Sequence, residues 1–341
     1  MTSDVVSPAP RDAWAAAIAA DPFALPTQSP QWTDAAVATG KFRDASRHYV
    51  TTEGRSLVVP MLRRRTGAEA SMPMHWGIGG ILAADGATAD DVQLVLGDLA
   101  CRRALRQSIR PNPLQAELYR AHLPARSIVV ERHGHVLDLR DGADAVWKGF
   151  SSSRRRGIGL AERAGVEVVS DNNGALLPIH FDLLVKANEQ WATQSHEPQW
   201  LARLRAGFRD TLPKWQSIAR HLDGTCRQWV AKVDGEPVAS IIVLFGRNAH
   251  YTRGAMDRDR AGKVHASELL QWHAMQAACE TGAAWYQMGE SGRSGPLASY
   301  KERFGARPFT YPELRMERLP ITRVDTAART VVKKIVGFQE P

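Results

Sequence analysis

Alternating apolar and polar positions recur in two short stretches of the chain whose starts lie 180 residues apart. The first, His48 to Pro60, reads HYVTTEGRSLVVP, with strand-like runs on either side of Glu53-Gly54. The second, Gln228 to Ser240, reads QWVAKVDGEPVAS around Asp234-Gly235. Period-two alternation interrupted by a glycine turn predicts a β-hairpin in each place. Each hairpin is followed by a strand-like segment, glycine-containing turns and a stretch of helical period, Asp90 to Leu105 in the first half and Ala266 to Thr281 in the second. In the second stretch Ala266, Leu270, Ala274, Ala277 and Ala278 share one face, and Gly282 is placed to end the helix. The order repeats once, at too long a spacing for a solenoid, which predicts two duplicated α/β domains with a boundary near Val136 to Val146.

The ends read differently. Before Gln31 the chain is broken by Pro8, Pro10, Pro22, Pro26 and Pro30 around one Ala-rich helix at Ala13 to Ala20, so residues 1–30 are expected to form an arm. At the other end Ile321, Val324, Ala328, Val331, Ile335 and Phe338 make an apolar stripe, with Arg323, Arg329, Lys333 and Lys334 mostly off it. That pattern predicts an amphipathic helix over 319–341, packed against the protein in preference to a membrane surface. The expected division is an arm at 1–30, domains at 31–140 and 141–318, and the terminal helix.

Composition narrows the class. With 341 residues, 44% hydrophobic and 23% charged, the chain can bury two cores of ordinary size. Its longest apolar run, Val238 to Phe245, is far too short to cross a bilayer, and the opening MTSDVVSPAPRD lacks the basic leader and apolar core of a secretory signal. A cytoplasmic protein is expected. Cys101, Cys226 and Cys279 form no close pair, which argues against a disulfide framework or zinc knuckle. The formal charge is +8, and 35 of the 44 basic residues are arginine, the better fork for phosphate. A polyanionic partner is modestly favoured.

Four segments together carry a family likeness. They are Ile109 to Pro113 (IRPNP), Val136 to Val168, YTRGAMDRD from Tyr251, and YQMGESGRSGPLASYKERFGARP from Tyr286. Over roughly Gln31 to Pro312 the chain resembles the FemABX family of peptidyltransferases and the acetyltransferase-like proteins of polysaccharide and natural-product clusters. The resemblance implies two tandem GNAT-like (acyl-CoA N-acyltransferase-like) domains, each a mixed sheet flanked by helices, with the acceptor held in the cleft between them. It implies transfer from aminoacyl-tRNA in the well-known members and from acyl-CoA in others. The coiled-coil arm that some members carry has no counterpart, since no heptad run occurs here.

An amine attacking an ester or thioester needs a neutral nucleophile, a donor or cation near the developing oxyanion, and close juxtaposition. The resemblance points to Lys301, expected at a helix start after a Gly-rich loop, where it would meet a phosphate or the oxyanion; the plainer reading is an exposed lysine beside Glu302. Arg154, Arg155 and Arg156 follow three serines at the place of the family's phosphate-holding arginine, or else form a solvated face. Tyr251 and Arg253, two apart in a predicted strand, are expected on one face as a substrate clamp, with a core aromatic as the alternative for Tyr251. Glu290 is the candidate proton acceptor, with Ser291 beside it and Tyr300 next to Lys301. Gly262, Lys263, His265 and Ala266 open the second-half helix and loosely resemble the loop that cradles the pyrophosphate of CoA; free amides there would equally suit a tRNA end. The run Arg63-Arg64-Arg65 has no motif around it and reads as solvated.

Other chemistries lack their signatures. Gly77-Ile78-Gly79-Gly80 is too short for a dinucleotide fingerprint, no Gly-x-Ser-x-Gly elbow occurs, and His133 with His135 finds no third ligand. The expectation is therefore an amide-forming acyltransferase with no metal and no permanently bound cofactor. Its donor is aminoacyl-tRNA in preference to acyl-CoA, and its acceptor is an amine on a small molecule. The rival is a non-catalytic ligand-binding member of the same fold, against which the retained Tyr300-Lys301 segment argues.

Overall fold

The structure is a computed structural model that describes residues 4–73, 75–194, 197–292 and 294–327. Both hairpins form where the alternation places them: Arg47–Val50 pairs with Ser56–Val59, and Cys226–Val233 with Glu236–Leu244. Asp234 and Gly235 turn the second hairpin with φ of 53° and 77°, the two positive values that a type I′ turn demands. The first-half helix is Ala89–Cys101, started by a capping box in which Thr88 and Asp91 satisfy each other's amides. It stops short of Leu105. The second-half helix is Ala266–Glu280, and all five of its expected core positions are buried.

In each half the helix crosses between two parallel strands, Glu69–Ser71 and Arg106–Ile109 in the first, Ala249–Met256 and Trp285–Glu290 in the second. Parallel strands need such a crossover because no tight turn can join them. The repeated sequence order is therefore a repeated strand–helix–strand unit.

Among the described residues eleven strands form one mixed sheet. From one edge the order is Glu167–Asp171, Cys226–Val233, Glu236–Leu244, Ala249–Met256, Trp285–Glu290 and Ile128–Asp138. It continues with Arg307–Glu317, Arg106–Ile109, Glu69–Ser71, Leu62–Arg64 and Phe42–Asp44. The boundary differs from the expected one. Ile128–Asp138, assigned to the first domain, pairs with Trp285–Glu290 on one side and with Arg307–Glu317 on the other. Arg307–Glu317 in turn pairs with Arg106–Ile109. The halves are thus sewn together by ladder hydrogen bonds, with no linker at Val136 to Val146.

The amino-terminal segment also differs from expectation. Asp4–Val6 adds to the first hairpin in a separate four-stranded sheet, and Trp14 on helix Arg11–Ala20 is fully buried, its indole donating to the Gln28 carbonyl at 2.8 Å. Asn248, in the second half, donates to the carbonyls of Pro22 and Ala24 at 2.9 and 3.0 Å. Three of the five prolines that read as punctuation sit at helix starts: Pro10 precedes one helix, and Pro26 and Pro30 occupy first-turn positions, where a missing N–H costs nothing. At the other end residues 321–327 are helical and Val324 is 64% exposed. Ala328, Arg329, Val331, Lys333, Lys334, Ile335 and Phe338 lie outside the described residues. No helix among the described residues is long and apolar enough to cross a membrane.

Because Trp14 packs at the junction of the segment with the small sheet, Trp14→Ala should lower the unfolding free energy in urea by about 3–5 kcal/mol. A loss below about 1 kcal/mol, the range of surface changes, would return residues 1–30 to the status of an arm.

Candidate functional site

The parallel pair in the second half holds together for only two positions, Ala249 opposite Tyr286 and His250 opposite Gln287, and then the strands diverge. Both bend at that level. In Ala249–Met256 the register skips at Thr252, whose hydroxyl donates to the Ile242 carbonyl at 3.0 Å. In Trp285–Glu290 it skips between Gln287 and Glu290, where Gly289 takes φ of 73°, a value that only glycine adopts freely. A bulge bends its strand and re-aims the side chains beyond it. The result is an opening in the sheet directly before the start of helix Ala266–Glu280.

The bulge overturns one expectation. Tyr251 faces Val243 and Arg253 faces Ile242, neighbours that point to opposite sides of the sheet. Tyr251 and Arg253 therefore do not form a clamp. Tyr251 packs into the core under helix Ala266–Glu280, and burial pushes its phenol up to about 12, so it stays a protonated donor. Its hydroxyl lies against Gly254, where a Cβ would come within 2.2 Å. Arg253 grips Asp210 through Nε and Nη2 at 2.9 and 3.0 Å and also donates to the His75 carbonyl at 3.1 Å. Lys214 donates to the same carbonyl and to Asp210, each at 3.1 Å. Burial raises the Asp210 carboxyl, but these two cations outweigh it and hold it well below its ordinary value. This cluster ties the second half to the His75 loop of the first.

Lys301 stands in the last turn of helix Gly295–Glu302, not at its start, and is 2% exposed. Its Nζ donates to the carbonyls of Gly289 and Glu290 at 2.9 and 2.8 Å. Burial brings its ammonium down to about 8 against the pull of Glu290. The exposed-lysine reading fails, and so does a position at the head of a helix. Two of the three ammonium protons are spent on the end of the diverging strand, which leaves one for a ligand.

That strand end carries Glu290. Its carboxylate accepts from the Tyr311 hydroxyl at 2.8 Å and lies 3.6 and 3.7 Å from the guanidiniums of Arg110 and Arg132. Those arginines also pair with Glu313, at 2.8 and 2.5 Å, as does Arg315 at 2.7 Å. Burial raises the Glu313 carboxyl, but the three guanidiniums bring it down to about 2. Ser291 is buried and its amide donates to the His133 carbonyl at 2.9 Å.

The three adjacent arginines separate. Arg154 is buried, pairs with Glu268 at 2.6 Å, and lies 4.5 Å from the ring centres of both Tyr300 and Phe304. Arg155 closes the end of helix Gly142–Gly149 by donating to the carbonyls of Lys148, at 3.0 Å, and Phe150. Both are held within the protein, which corrects their expected role as phosphate forks. Arg156 alone is exposed.

Gly262, Lys263 and His265 form the turn before helix Ala266–Glu280, with His265 at φ of 53°. Gly262 and Lys263 are exposed, and Ala266 is buried. Among the described residues the amides of 263–266 enter no backbone hydrogen bond outside the helix, whereas that of Gly262 donates to the Arg258 carbonyl. Helix Ser152–Arg163 presses on this turn through Gly157, where a Cβ would stand 3.1 Å from the His265 ring. The Tyr300 hydroxyl donates to the Ser267 carbonyl at 3.3 Å. A chain of contacts therefore runs from the turn through Glu268, Arg154, Tyr300 and Lys301 to Glu290. Arg110 lay inside the IRPNP segment and could have been singled out. Arg132, Tyr311, Glu313, Asp210 and Lys214 gave no local signal.

Comparison with known proteins agrees with this architecture. Residues 148–302 match the model of the acetyltransferase (GNAT) domain family. The crystal structure of FemX superposes with a TM-score of 0.66 at 13% identity, covering 94% of this chain and 99% of that one. The C-terminal domain of a putative lysylphosphatidylglycerol synthetase from Agrobacterium fabrum gives 0.51 at 10% identity, covering 90% and 91%. No curated protein matches by sequence. The chain has the fold of FemX, and its residues 148–302 match the GNAT domain.

Two titrations follow from the buried charges. The folded-state value of Lys301, about 8, lies below its unfolded 10.5, so its burial costs stability below pH 8 and the cost fades as pH rises to 10.5. Wild type should gain about 3 kcal/mol over Lys301→Met across that window; parallel pH profiles would refute the buried ammonium. Glu313 is the reverse case, about 2 folded against 4.5 unfolded, so its contribution is complete above 4.5 and lost as pH falls toward 2. Glu313→Gln should cost about 3–5 kcal/mol at neutral pH by stranding its arginines. The variant should also unfold with a shallower acid limb than wild type.

Proposed function

We propose that this chain transfers an aminoacyl or acyl group from an activated ester or thioester to an amine, which attacks the carbonyl directly without a covalent enzyme intermediate. The observation that carries the reading is the opening between Ala249–Met256 and Trp285–Glu290, with the turn at 262–266 on one side and the Lys301-anchored end bearing Glu290 on the other. Free amides ahead of a helix bind the phosphate-bearing end of a donor. The remaining Lys301 proton and the Tyr251 phenol are donors for the developing oxyanion, and Glu290 accepts the proton that the amine loses. Burial pushes the Cys226 thiol up to about 12 and raises Cys279 as well, which suits neither to act as a thiolate nucleophile.

Aminoacyl-tRNA is favoured as donor. The chain has a formal charge of +8, which counter-ion release on an RNA backbone rewards. The acceptor is an amine on a phosphorylated, nucleotide-linked or sugar-bearing small molecule. The free amides of 263–266 favour acyl-CoA as the second reading.

Purified chain incubated with a labelled amino acid on tRNA and a panel of amine acceptors should yield labelled amide, and RNase pretreatment should abolish it. Product that survives RNase and requires acyl-CoA would move the protein to the second reading. The absence of transfer from either donor would leave a binding protein.

A further inference from the structure

At the far edge of the large sheet, roughly 24 Å from Trp285–Glu290 by five strand spacings, lies a cavity of about 580 Å³. Arg43, Arg47, Arg63, Arg64, Arg65 and Arg102 line it. The carboxylates that share it are Asp44 and Glu69, an excess of four positive charges. Both carboxylates are already engaged, Asp44 by Arg11 at 3.5 Å and Glu69 by Arg47 and by Gln107 at 3.1 Å.

The arginines are arranged at a cost. Arg43 and Arg63 stand directly opposite each other on neighbouring strands, where like charges destabilise a sheet. Arg47 is 3% exposed, and its Nε and Nη1 have no acceptor among the described residues. A buried guanidinium with idle N–H groups is expensive. Arg64 lies 5.2 Å from the Phe42 ring, and burial together with the nearby Arg106 lowers its affinity for its proton. Among the described residues Arg43, Arg64 and Arg65 form no ion pair. An anion in the cavity would offset all of these penalties.

We propose that this cavity is a second ligand site, separate from the acyl-transfer opening, which takes an organic diphosphate. Guanidinium forks bind phosphoryl oxygens bidentately. The excess of four positive charges matches two adjoining phosphoryl groups better than one. The volume lies within the range of small-molecule sites and leaves room for an organic moiety beyond the diphosphate. The concave shape, floored by the Arg47–Glu69 pair, favours a compact ligand over the convex backbone of a folded RNA. The sequence reading of Arg63 to Arg65 as a solvated run is replaced by this one.

The test is calorimetric titration of the full chain with inorganic pyrophosphate and with orthophosphate, read without any transfer activity. Wild type should bind pyrophosphate saturably, and more tightly than orthophosphate. Arg63 and Arg65 are exposed, so Arg63→Gln/Arg65→Gln should fold with a melting temperature in buffer no lower than that of wild type, because the Arg43–Arg63 repulsion is removed, while weakening pyrophosphate roughly tenfold or more. Arg220→Gln, at an exposed helix position elsewhere, should bind as wild type does. No saturable binding, or equal binding by the double variant, would overturn the site. Retention of tRNA that the double variant loses, without any binding of pyrophosphate, would overturn it too and assign these arginines to an RNA backbone.

Discussion

Two strands that part company leave backbone carbonyls without ladder partners, and in this protein one buried ammonium takes both. Lys301 ties the carbonyls of Gly289 and Glu290 from the helix behind the sheet. An unsatisfied buried carbonyl costs about 1–3 kcal/mol, and a buried charge costs a comparable amount through its lowered pKa. The two hydrogen bonds that Lys301 donates offset part of both penalties. The same contact fixes where Glu290 points and, through the adjacent Tyr300, where helix Ala266–Glu280 begins.

The tandem halves are held by charge as well as by strands. Arg110 comes from the first half and Glu313 from the end of the second, 203 residues apart, with Arg132 on the strand that flanks Glu313 on its other side. A second tie, Arg253 with Asp210 and Lys214, reaches the His75 carbonyl. Both clusters are buried, and each would be strongly destabilised by the loss of one member. They flank the diverging strands, so the rigidity of the opening depends on contacts between the halves. The first half contributes Arg110 to one cluster and the His75 carbonyl to the other.

Local chemistry determined a good part of this. Alternation and the Asp234-Gly235 pair placed the second hairpin, and period and Gly282 placed helix Ala266–Glu280 with its buried face. The repeated order gave two strand–helix–strand units, and the resemblance of the segments at Tyr251 and Tyr286 led to the fold. These signals survive because each resides in neighbouring residues whose backbone preferences do not depend on distant contacts. Tertiary structure decided the rest. A one-residue bulge at Thr252 sent Tyr251 and Arg253 to opposite faces, since side-chain direction alternates and any extra residue reverses it. Burial converted Lys301 from a surface cation into a backbone anchor and Arg154 into a partner of Glu268, and only packing determines burial. The residues that surround Glu290 come from strands far apart in sequence, so no spacing could announce them; their charges acquire a role only when the sheet closes and removes them from water.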